Sequence, residues 1–325
     1  MRLLVAEPEC YSARDLNPLR DYGVDVSSTA HGVEQSEFDE VYFAIKPEIV
    51  VLKLGLSFGY SHLKLNPNLK MIVTPTTGLT HIEKVVFEAV KVISLKGDTE
   101  FLNSVTSTAE HAWFLLLSAV RNDTQKFISN SAGVWSRAHH HDITQLSGKT
   151  LGIIGFGRLG KMIAKYGCAF NMAVMHNDIT GDTLAPEYDF SKFVNLETLF
   201  DYSNYVIISA SYENYQIVTP DILDKIKEPV DVLVNIARGE LVNEDALINA
   251  LRAQRIKSYY TDVLENDAVW YSDEYIKNKL YIESKRGLNI KITPHIGGYA
   301  REAITLARSR VIEKLIEELE NENYC

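Results

Sequence analysis

A short glycine-rich segment constrains the fold of this chain more than any other feature. Residues 151–160 read Leu-Gly-Ile-Ile-Gly-Phe-Gly-Arg-Leu-Gly, and Asp178 lies eighteen residues beyond the last of these glycines. The pattern predicts a strand, a tight turn at Gly155, a helix from Leu159 to about Phe170, and a second strand that ends near the acid. This order is typical of a dinucleotide-binding α/β domain.

Each part of the segment suits one requirement of a bound dinucleotide. Gly155 permits the turn, Gly157 lets the backbone approach a pyrophosphate, and Gly160 lets the helix pack closely on the strand. The helix begins around Arg158 and Leu159, where it presents free N–H groups and a positive dipole end to the phosphates.

The acid at the end of the second predicted strand bears on the choice of nucleotide. Asp178 would accept hydrogen bonds from the adenosine ribose hydroxyls, and its charge would repel a 2′-phosphate. The sequence therefore favours NAD over NADP. The alternative is a fold of the same type with an ordinary glycine turn and no nucleotide, and the strand, helix and acid around the glycines argue against it.

Composition narrows the class of protein further. The chain has 325 residues, 46% hydrophobic and 23% charged, which predicts two globular domains. The net charge of -10 argues against nucleic-acid and anionic-membrane partners. Three cysteines (Cys10, Cys168 and Cys325) show no metal-ligand spacing. We therefore expect free thiols, no metal site and a cytoplasmic location.

Buried strands alternate with helices along the whole chain. Apolar runs predict strands in the first hundred residues at 2–6, 49–52, 69–74 and 92–94. Thr108–Arg121 reads as an apolar helix, with Ser107 or Thr106 as its N-cap, and it is expected to be buried between domains or subunits. Residues 302–320 read as an amphipathic tail helix that returns to the first domain. Further strands are predicted at 205–209, 232–235, 258–262 and 291–293.

Polar residues follow three of these later strands. Arg238 follows one strand, the segment 262–267 with its acids follows the next, and His295 follows the last. In a doubly wound sheet, ligands bind at the carboxyl ends of the strands. An arginine can hold a carboxylate and polarise the carbonyl beside it, while a histidine supplies the proton that accompanies a hydride. A carboxylate bonded to that histidine fixes its tautomer and favours its protonated form.

Each of these residues also has a simpler explanation. Arg238 suits a surface or capping cation, His295 a loop histidine bonded to backbone, and Asp267 a solvated turn acid. Their occurrence together beside a nucleotide site favours catalysis.

The segments 146–160, 235–239 and 293–298 resemble the D-isomer-specific 2-hydroxyacid dehydrogenase family, most closely its phosphoglycerate-dehydrogenase-related members. The resemblance covers essentially the whole chain. It implies that Arg238 binds the substrate carboxylate and carbonyl, that His295 is the acid/base, and that Asp262 binds the nicotinamide carboxamide. Backbone at Ile236 and Ala237 would assist, and the nicotinamide end would lie near Thr108, Gly297 and Gly298.

The resemblance also implies a substrate-carboxylate loop at residues 75–83, where the N–H groups of Thr77 and Gly78 would bind the carboxylate. A second wall of the substrate site is implied at Lys53, Leu54 and Gly55. Both segments could instead be ordinary turns at strand ends.

The chain departs from the family pattern in three respects. The family's catalytic glutamate matches Asp267, which is one methylene shorter, and Glu265 remains the alternative acid. The family's His-x-Pro segment beside the adenine is replaced by Ser209, Ala210 and Ser211. Few cations surround Lys53, although a phosphoglycerate site needs a basic cluster.

The expected fold class is α/β with two doubly wound parallel-sheet domains. A Rossmann NAD-binding domain (residues 106–298) is inserted in a discontinuous flavodoxin-like substrate domain (residues 1–105, completed by the tail helix in 299–325). The expected function is NAD-dependent interconversion of a D-2-hydroxy acid and its 2-keto acid by a homodimer. The alternative is an NAD(H)-sensing binding protein with vestigial catalysis. Specificity is expected to depend on Leu54, Thr77 and Trp270.

Overall fold

The chain forms two compact α/β units. The computed structural model describes residues 1–121, 143–181, 188–211, 215–267 and 274–321. The first unit contains residues 1–105 and 300–321, and the second contains the described residues between 106 and 299. Each unit has its own parallel sheet with helices, so the predicted fold class is confirmed.

The strands are short and mostly buried, as expected for parallel sheets covered on both faces. In chain order they are β1 (Arg2–Val5), β2 (Asp25–Ser28), β3 (Ile49–Val51), β4 (Met71–Val73), β5 (Lys91–Ile93), β6 (Thr150–Ile154), β7 (Ala173–Asn177), β8 (Ser191–Phe193), β9 (Tyr205–Ile208), β10 (Val232–Asn235), β11 (Tyr259–Thr261) and β12 (Ile290–Ile292).

The helices connect the strands and cover the sheets. In chain order they are α1 (Ala13–Leu16), α2 (Pro18–Asp21), α3 (Gln35–Ile45), α4 (Tyr60–Leu65), α5 (Val86–Ala89), α6 (Thr99–Leu102), α7 (Ser107–Val120), α8 (Arg158–Ala169), α9 (Leu196–Tyr202), α10 (Pro220–Asp224), α11 (Glu244–Arg252), α12 (Lys279–Lys285) and α13 (Arg301–Asn321). In the part of the chain described, none of them is both long and apolar enough to cross a bilayer.

The first unit has the strand order β2-β1-β3-β4-β5, which is the flavodoxin-like order. One face of its sheet packs against α13, whose residues Val311, Ile312, Leu315 and Leu319 are buried in the core. The opposite face is covered by a second cluster that includes Phe38, Tyr42 and Phe58.

The second unit has the strand order β12-β11-β10-β9-β6-β7-β8. The chain reverses direction across the sheet between β6 and β9, which is where a doubly wound sheet opens a ligand crevice. Helices α7 and α8 pack on this sheet, with Trp113 and Ile163 in the core. The order places the carboxyl ends of β10, β11 and β12 side by side, and these strands precede Arg238, Asp262 and His295.

Helix α7 begins as expected, but its N-cap works differently. Thr106 is the N-cap residue, yet its side chain caps no helical N–H group. Its hydroxyl instead donates to the Glu110 carboxylate, one turn along, at 2.5 Å. The neighbouring Ser107 hydroxyl donates to the Gly297 carbonyl at 2.7 Å, so the start of α7 is tied to the loop after β12.

Candidate active site

The glycine turn after β6 has the geometry that its sequence predicts. Gly155 has a φ of +90°, a left-handed conformation that favours glycine, and a Cβ there would lie 2.4 Å from the Cα of Ala210. A Cβ on Gly160 would lie 2.2 Å from the Gly155 carbonyl oxygen, so α8 packs directly on the turn. A Cβ on Gly157 would meet no atom within 4 Å, which leaves open space at the N-terminus of α8.

The residues around this turn hold it in place. The Ser209 hydroxyl donates to the Gly155 carbonyl at 2.7 Å. Leu159 packs against the core. Ile236 and Ala237, which follow β10, are buried. The open space beside Gly157, the N–H groups at the start of α8 and the close backbone packing fit a bound dinucleotide phosphate.

Asp178 connects the end of β7 to the glycine turn. Its Oδ2 accepts from the Phe156 N–H at 2.6 Å, and its Oδ1 accepts from the N–H and the hydroxyl of Thr180 at 3.0 and 2.8 Å. Burial alone would raise the pKa of Asp178, but these hydrogen bonds outweigh it and lower the pKa below its ordinary value. The group is therefore a carboxylate at neutral pH.

His295 lies after β12 in a conformation that few non-glycine residues adopt, with a φ of +54°. Its N–H donates to the Asp262 carbonyl at 2.9 Å, and its Nδ1 lies 3.1 Å from Oδ2 of Asp267. The same Asp267 oxygen accepts from the Leu264 N–H at 3.0 Å. Glu265 is exposed and does not contact His295, so the structure brings the shorter acid, Asp267, to the histidine.

Arg238 lies after β10 and is half-buried. Its Nη1 donates to the adjacent Ala237 carbonyl at 2.6 Å, and it forms no ion pair with any residue that the structure describes. The buried Asn235 shapes this turn, accepting from the Ala237 N–H and donating to the Arg238 carbonyl at 3.0 and 2.9 Å. A Cβ on Gly239 would lie 2.1 Å from the backbone carbon of Leu264, so the loops after β10 and β11 are in contact.

Asp262, after β11, is 2% exposed. It accepts hydrogen bonds from the Thr293 hydroxyl and from the Ile296 and Gly297 N–H groups. His111 Nε2 is a further neighbour, at 3.2 Å. Burial alone would raise the pKa of Asp262, but these contacts outweigh it and lower the pKa. A Cβ on Gly297 would lie 2.8 Å from the carboxylate and 3.5 Å from Cγ2 of Thr108, which places Thr108 beside this loop, with Gly298 next to it.

The implied substrate loops lie at the carboxyl edge of the first unit, after the neighbouring strands β3 and β4. Lys53 is half-buried and Leu54 is exposed. The Thr76 hydroxyl donates to the Gly78 carbonyl at 2.9 Å and so closes the turn. Among the described residues, the N–H groups of Thr77 and Gly78 donate no hydrogen bond. Trp270, named with Leu54 and Thr77 for specificity, lies outside the described residues.

The model of the NAD-binding domain of D-isomer specific 2-hydroxyacid dehydrogenases matches residues 113–297, more than half of the chain. The chain belongs to this family. It is therefore an NAD-dependent oxidoreductase that interconverts a D-2-hydroxy acid and its 2-keto acid by hydride transfer, as the sequence predicts. The comparisons give no support to the alternative of a protein that only senses NAD(H).

Some relatives span nearly all of the chain, and others span little more than half of it. It is 29% identical to the hydroxypyruvate reductase of Thermotoga maritima, over 88% of this dehydrogenase and 90% of that protein. It is 34% identical to the glyoxylate reductase of Thermococcus gammatolerans, over 59% of this chain and 56% of that one. The TT0316 protein of Thermus thermophilus superimposes with a TM-score of 0.78 at 25% identity, over 99% of this chain and 97% of that one.

Two polar side chains that contact Asp262, those of His111 and Thr293, were not identified from the sequence of the dehydrogenase. His111 lies on α7 and contacts Thr293, 182 residues away, at 2.9 Å. The one available signal is a single histidine in an otherwise apolar helix, and nothing in the sequence identifies its partner. The sequence predicts Thr293 as the last residue of a strand, although β12 ends at Ile292.

We predict that Gly157 and Gly160 respond oppositely to the same substitution. Gly157→Ala should leave the melting temperature of the free enzyme almost unchanged, because its Cβ enters open space, while NADH affinity falls at least about ten-fold as the methyl group occupies the phosphate approach. Gly160→Ala should destabilise the fold by about 1–3 kcal/mol, because its Cβ meets backbone. Thermal unfolding and calorimetric titration measure both, and unchanged NADH binding by Gly157→Ala would contradict the assignment.

We predict that Asp178 makes NADH bind at least about ten-fold more tightly than NADPH, because a carboxylate repels the 2′-phosphate by more than about 1.4 kcal/mol. Asp178→Asn should reduce the ratio of the NADPH dissociation constant to the NADH dissociation constant. Asp221→Asn, an exposed acid on α10, is the matched control and should leave the ratio unchanged. Titration calorimetry checks the prediction, and equal affinities of the natural chain for both nucleotides would refute it.

Proposed function

We propose that the enzyme reduces short, unphosphorylated 2-keto acids, of which glyoxylate and hydroxypyruvate are the first to test. The names of two relatives, a hydroxypyruvate reductase and a glyoxylate reductase, support this choice. The substrate loops support it too, because Lys53 is the only lysine or arginine in residues 52–59 and 74–81. A phosphorylated substrate would add a group with nearly two negative charges, and these loops offer it one cation.

The proton chemistry is assigned to His295. Its Nδ1 lies 3.1 Å from the Asp267 carboxylate, which accepts a hydrogen bond and never donates one when ionised, so Nδ1 carries a hydrogen. Nε2 is then the atom that gives its proton to the carbonyl oxygen during reduction and takes it from the hydroxyl in the reverse reaction. The 3.1 Å contact between His295 and Asp267 is the strongest single support for assigning the proton transfer to His295. Bound NADH supplies the hydride.

Arg238 is assigned to the substrate. A guanidinium without an acidic partner among the described residues retains donors for a carboxylate and for the oxygen of the reacting carbonyl. The unbonded N–H groups of Thr77 and Gly78 suit the carboxylate as well, with Lys53 and Leu54 as the second wall.

The dinucleotide is assigned to the second unit. Around its nicotinamide end we place Asp262, Thr108, Gly297 and Gly298. The remaining assigned residues lie beside the glycine turn or the adenosine: Gly155, Gly157, Arg158, Leu159, Gly160, Asp178, Ser209, Ala210, Ile236 and Ala237.

We predict that three variants separate the roles of the acids. His295→Ala should lower the reduction rate by about 10²–10⁴-fold at every pH, because the proton donor is lost. Asp267→Asn should keep the fold and lower the reduction rate, because an amide accepts the Nδ1 hydrogen less strongly than a carboxylate does. Glu265→Gln should change little. The rates are followed at 340 nm as NADH oxidation against a panel of 2-keto acids.

The outcomes are distinguishable. If Glu265→Gln lowers the reduction rate and Asp267→Asn does not, the two acids exchange roles. If the natural chain oxidises NADH with none of the 2-keto acids, the proposed substrate class is wrong.

We also propose that the enzyme is a cytoplasmic homodimer with α7 at the interface. Phe114 on α7 is 56% exposed and Phe170 at the end of α8 is 40% exposed. Both line an apolar groove of about 1060 Å³ within the second unit. An exposed apolar surface of this kind is typical of an interface. Cys10 and Cys168 are free thiols, as a reducing compartment allows.

We predict a mass of two chains by light scattering at micromolar concentration. Phe114→Glu should shift the particle toward one chain, because burying an unpaired charge in the interface is costly. Leu306→Glu, which replaces an exposed leucine on α13, is the matched control and should remain dimeric. A natural chain that is monomeric under these conditions would refute the proposal.

A further inference from the structure

The two oxygens of the Asp262 carboxylate have unequal surroundings. Oδ1 accepts from the Thr293 hydroxyl at 2.6 Å and from the Ile296 N–H at 2.9 Å, and His111 Nε2 lies 3.2 Å away. Oδ2 accepts one hydrogen bond, from the Gly297 N–H at 2.6 Å. Oδ1 therefore has three donors close to it, and Oδ2 has one.

This difference leaves one acceptor position open. Each carboxylate oxygen has two lone pairs, so Oδ2 has one without a donor among the described residues. Asp262 is 2% exposed, and buried polar groups are nearly always satisfied. No side chain can fill the space next to Oδ2 from position 297, because a Cβ there would lie 2.8 Å from it. The open position therefore suits a donor that comes from a ligand.

The chemistry of its neighbours fixes the tautomer of His111. Nε2 faces Oδ1 of Asp262 at 3.2 Å and the Thr293 hydroxyl oxygen at 2.9 Å. The carboxylate only accepts, and the Thr293 hydroxyl spends its own hydrogen on Asp262, so the hydrogen lies on Nε2 and is shared between both oxygens. The ring stacks on Phe114, with centroids 5.6 Å apart, which limits its rotation.

Helix α7 holds the same loop at a second point. The Ser107 hydroxyl, one turn before His111, donates to the Gly297 carbonyl at 2.7 Å. The helix thus fixes both the carboxylate plane, through His111, and the backbone that donates to Oδ2, through Ser107. Neither residue belongs to the group that carries out the proton transfer.

We propose that His111 is a positioning residue that orients Asp262 so that Oδ2 accepts an N–H of the nicotinamide carboxamide. The proposal rests on the assignment of Asp262 to the nicotinamide end of the cofactor. His111 satisfies Oδ1 and fixes the rotation of the carboxylate, which leaves the second lone pair of Oδ2 for the cofactor amide.

A cofactor analogue separates this role from simple support of the loop. In reduced 3-acetylpyridine adenine dinucleotide a methyl group replaces the amide NH2, so the analogue has no donor for Oδ2. Loss of His111 should therefore weaken NADH binding and leave analogue binding nearly unchanged. A residue that only stabilised the loop would affect both cofactors equally, which is the logic of a double-mutant cycle.

The experiment measures dissociation constants of NADH and of the reduced analogue by calorimetry for the natural chain, His111→Ala and His111→Gln. We expect His111→Ala to weaken NADH binding about ten-fold and analogue binding less than about two-fold. His111→Gln, which keeps a donor of similar reach, should restore most of the NADH affinity. His31→Ala, an exposed histidine of the first unit, is the control and should change neither constant.

Two results would overturn the inference. If His111→Ala weakens the binding of NADH and of the analogue equally, His111 only supports the structure of the loop. If the natural chain binds NADH and the analogue equally, the carboxamide NH2 makes no contact that contributes to binding. Should His111→Ala fail to fold, Thr293→Val removes a hydroxyl from Oδ1 with little change in shape and carries the same comparison. The measurement needs no substrate, so a failure of the proposed substrate class leaves it unaffected.

Discussion

The buried carboxylate of Asp262 is the group on which the rest of the candidate active site depends. A carboxylate with so little exposure is costly unless several donors surround it, and here donors come from the backbone, a threonine and a histidine. Together they outweigh burial and lower its pKa. The donors at Ile296 and Gly297 follow His295 directly. The charge therefore also helps to hold His295 at a φ of +54°, a conformation that local sequence alone disfavours.

The order of the strands explains why one carboxylate can do this. β10, β11 and β12 are adjacent and parallel, so the residues that follow them emerge at one edge although they are far apart in sequence. Gly239 then lets the loop after β10 come against the loop after β11, within van der Waals contact of Leu264. The result is a site made of three loops on rigid strands, which suits chemistry that needs an arginine and a histidine in fixed positions.

Sequence reasoning succeeds where the signal is local and fails where it is not. The glycine segment and the buried strands, such as Val232–Asn235, carry their own apolar pattern, and the fold class follows from them. β2 (Asp25–Ser28) and β8 (Ser191–Phe193) were missed because their sequences, Asp-Val-Ser-Ser and Ser-Lys-Phe, contain no apolar run. Both are edge strands, where polar residues are tolerated. His111 was missed for a different reason: the contact that gives it meaning is to Thr293, from the far end of the same unit, and only the folded sheet brings the two together.

The candidate residues of the two units differ in the kind of group that they offer. The second unit offers charged side chains whose orientation is fixed by other side chains, as Asp267 does for His295. The first unit offers backbone N–H groups at Thr77 and Gly78. Backbone donors recognise a carboxylate that every 2-keto acid has, and they carry no information about the rest of the molecule. In the function that we propose, discrimination between substrates therefore comes from the side chains assigned to the substrate. Among these, the exposed Leu54 offers an apolar surface and Lys53 a single charge, which is consistent with the small, unphosphorylated substrate that we propose.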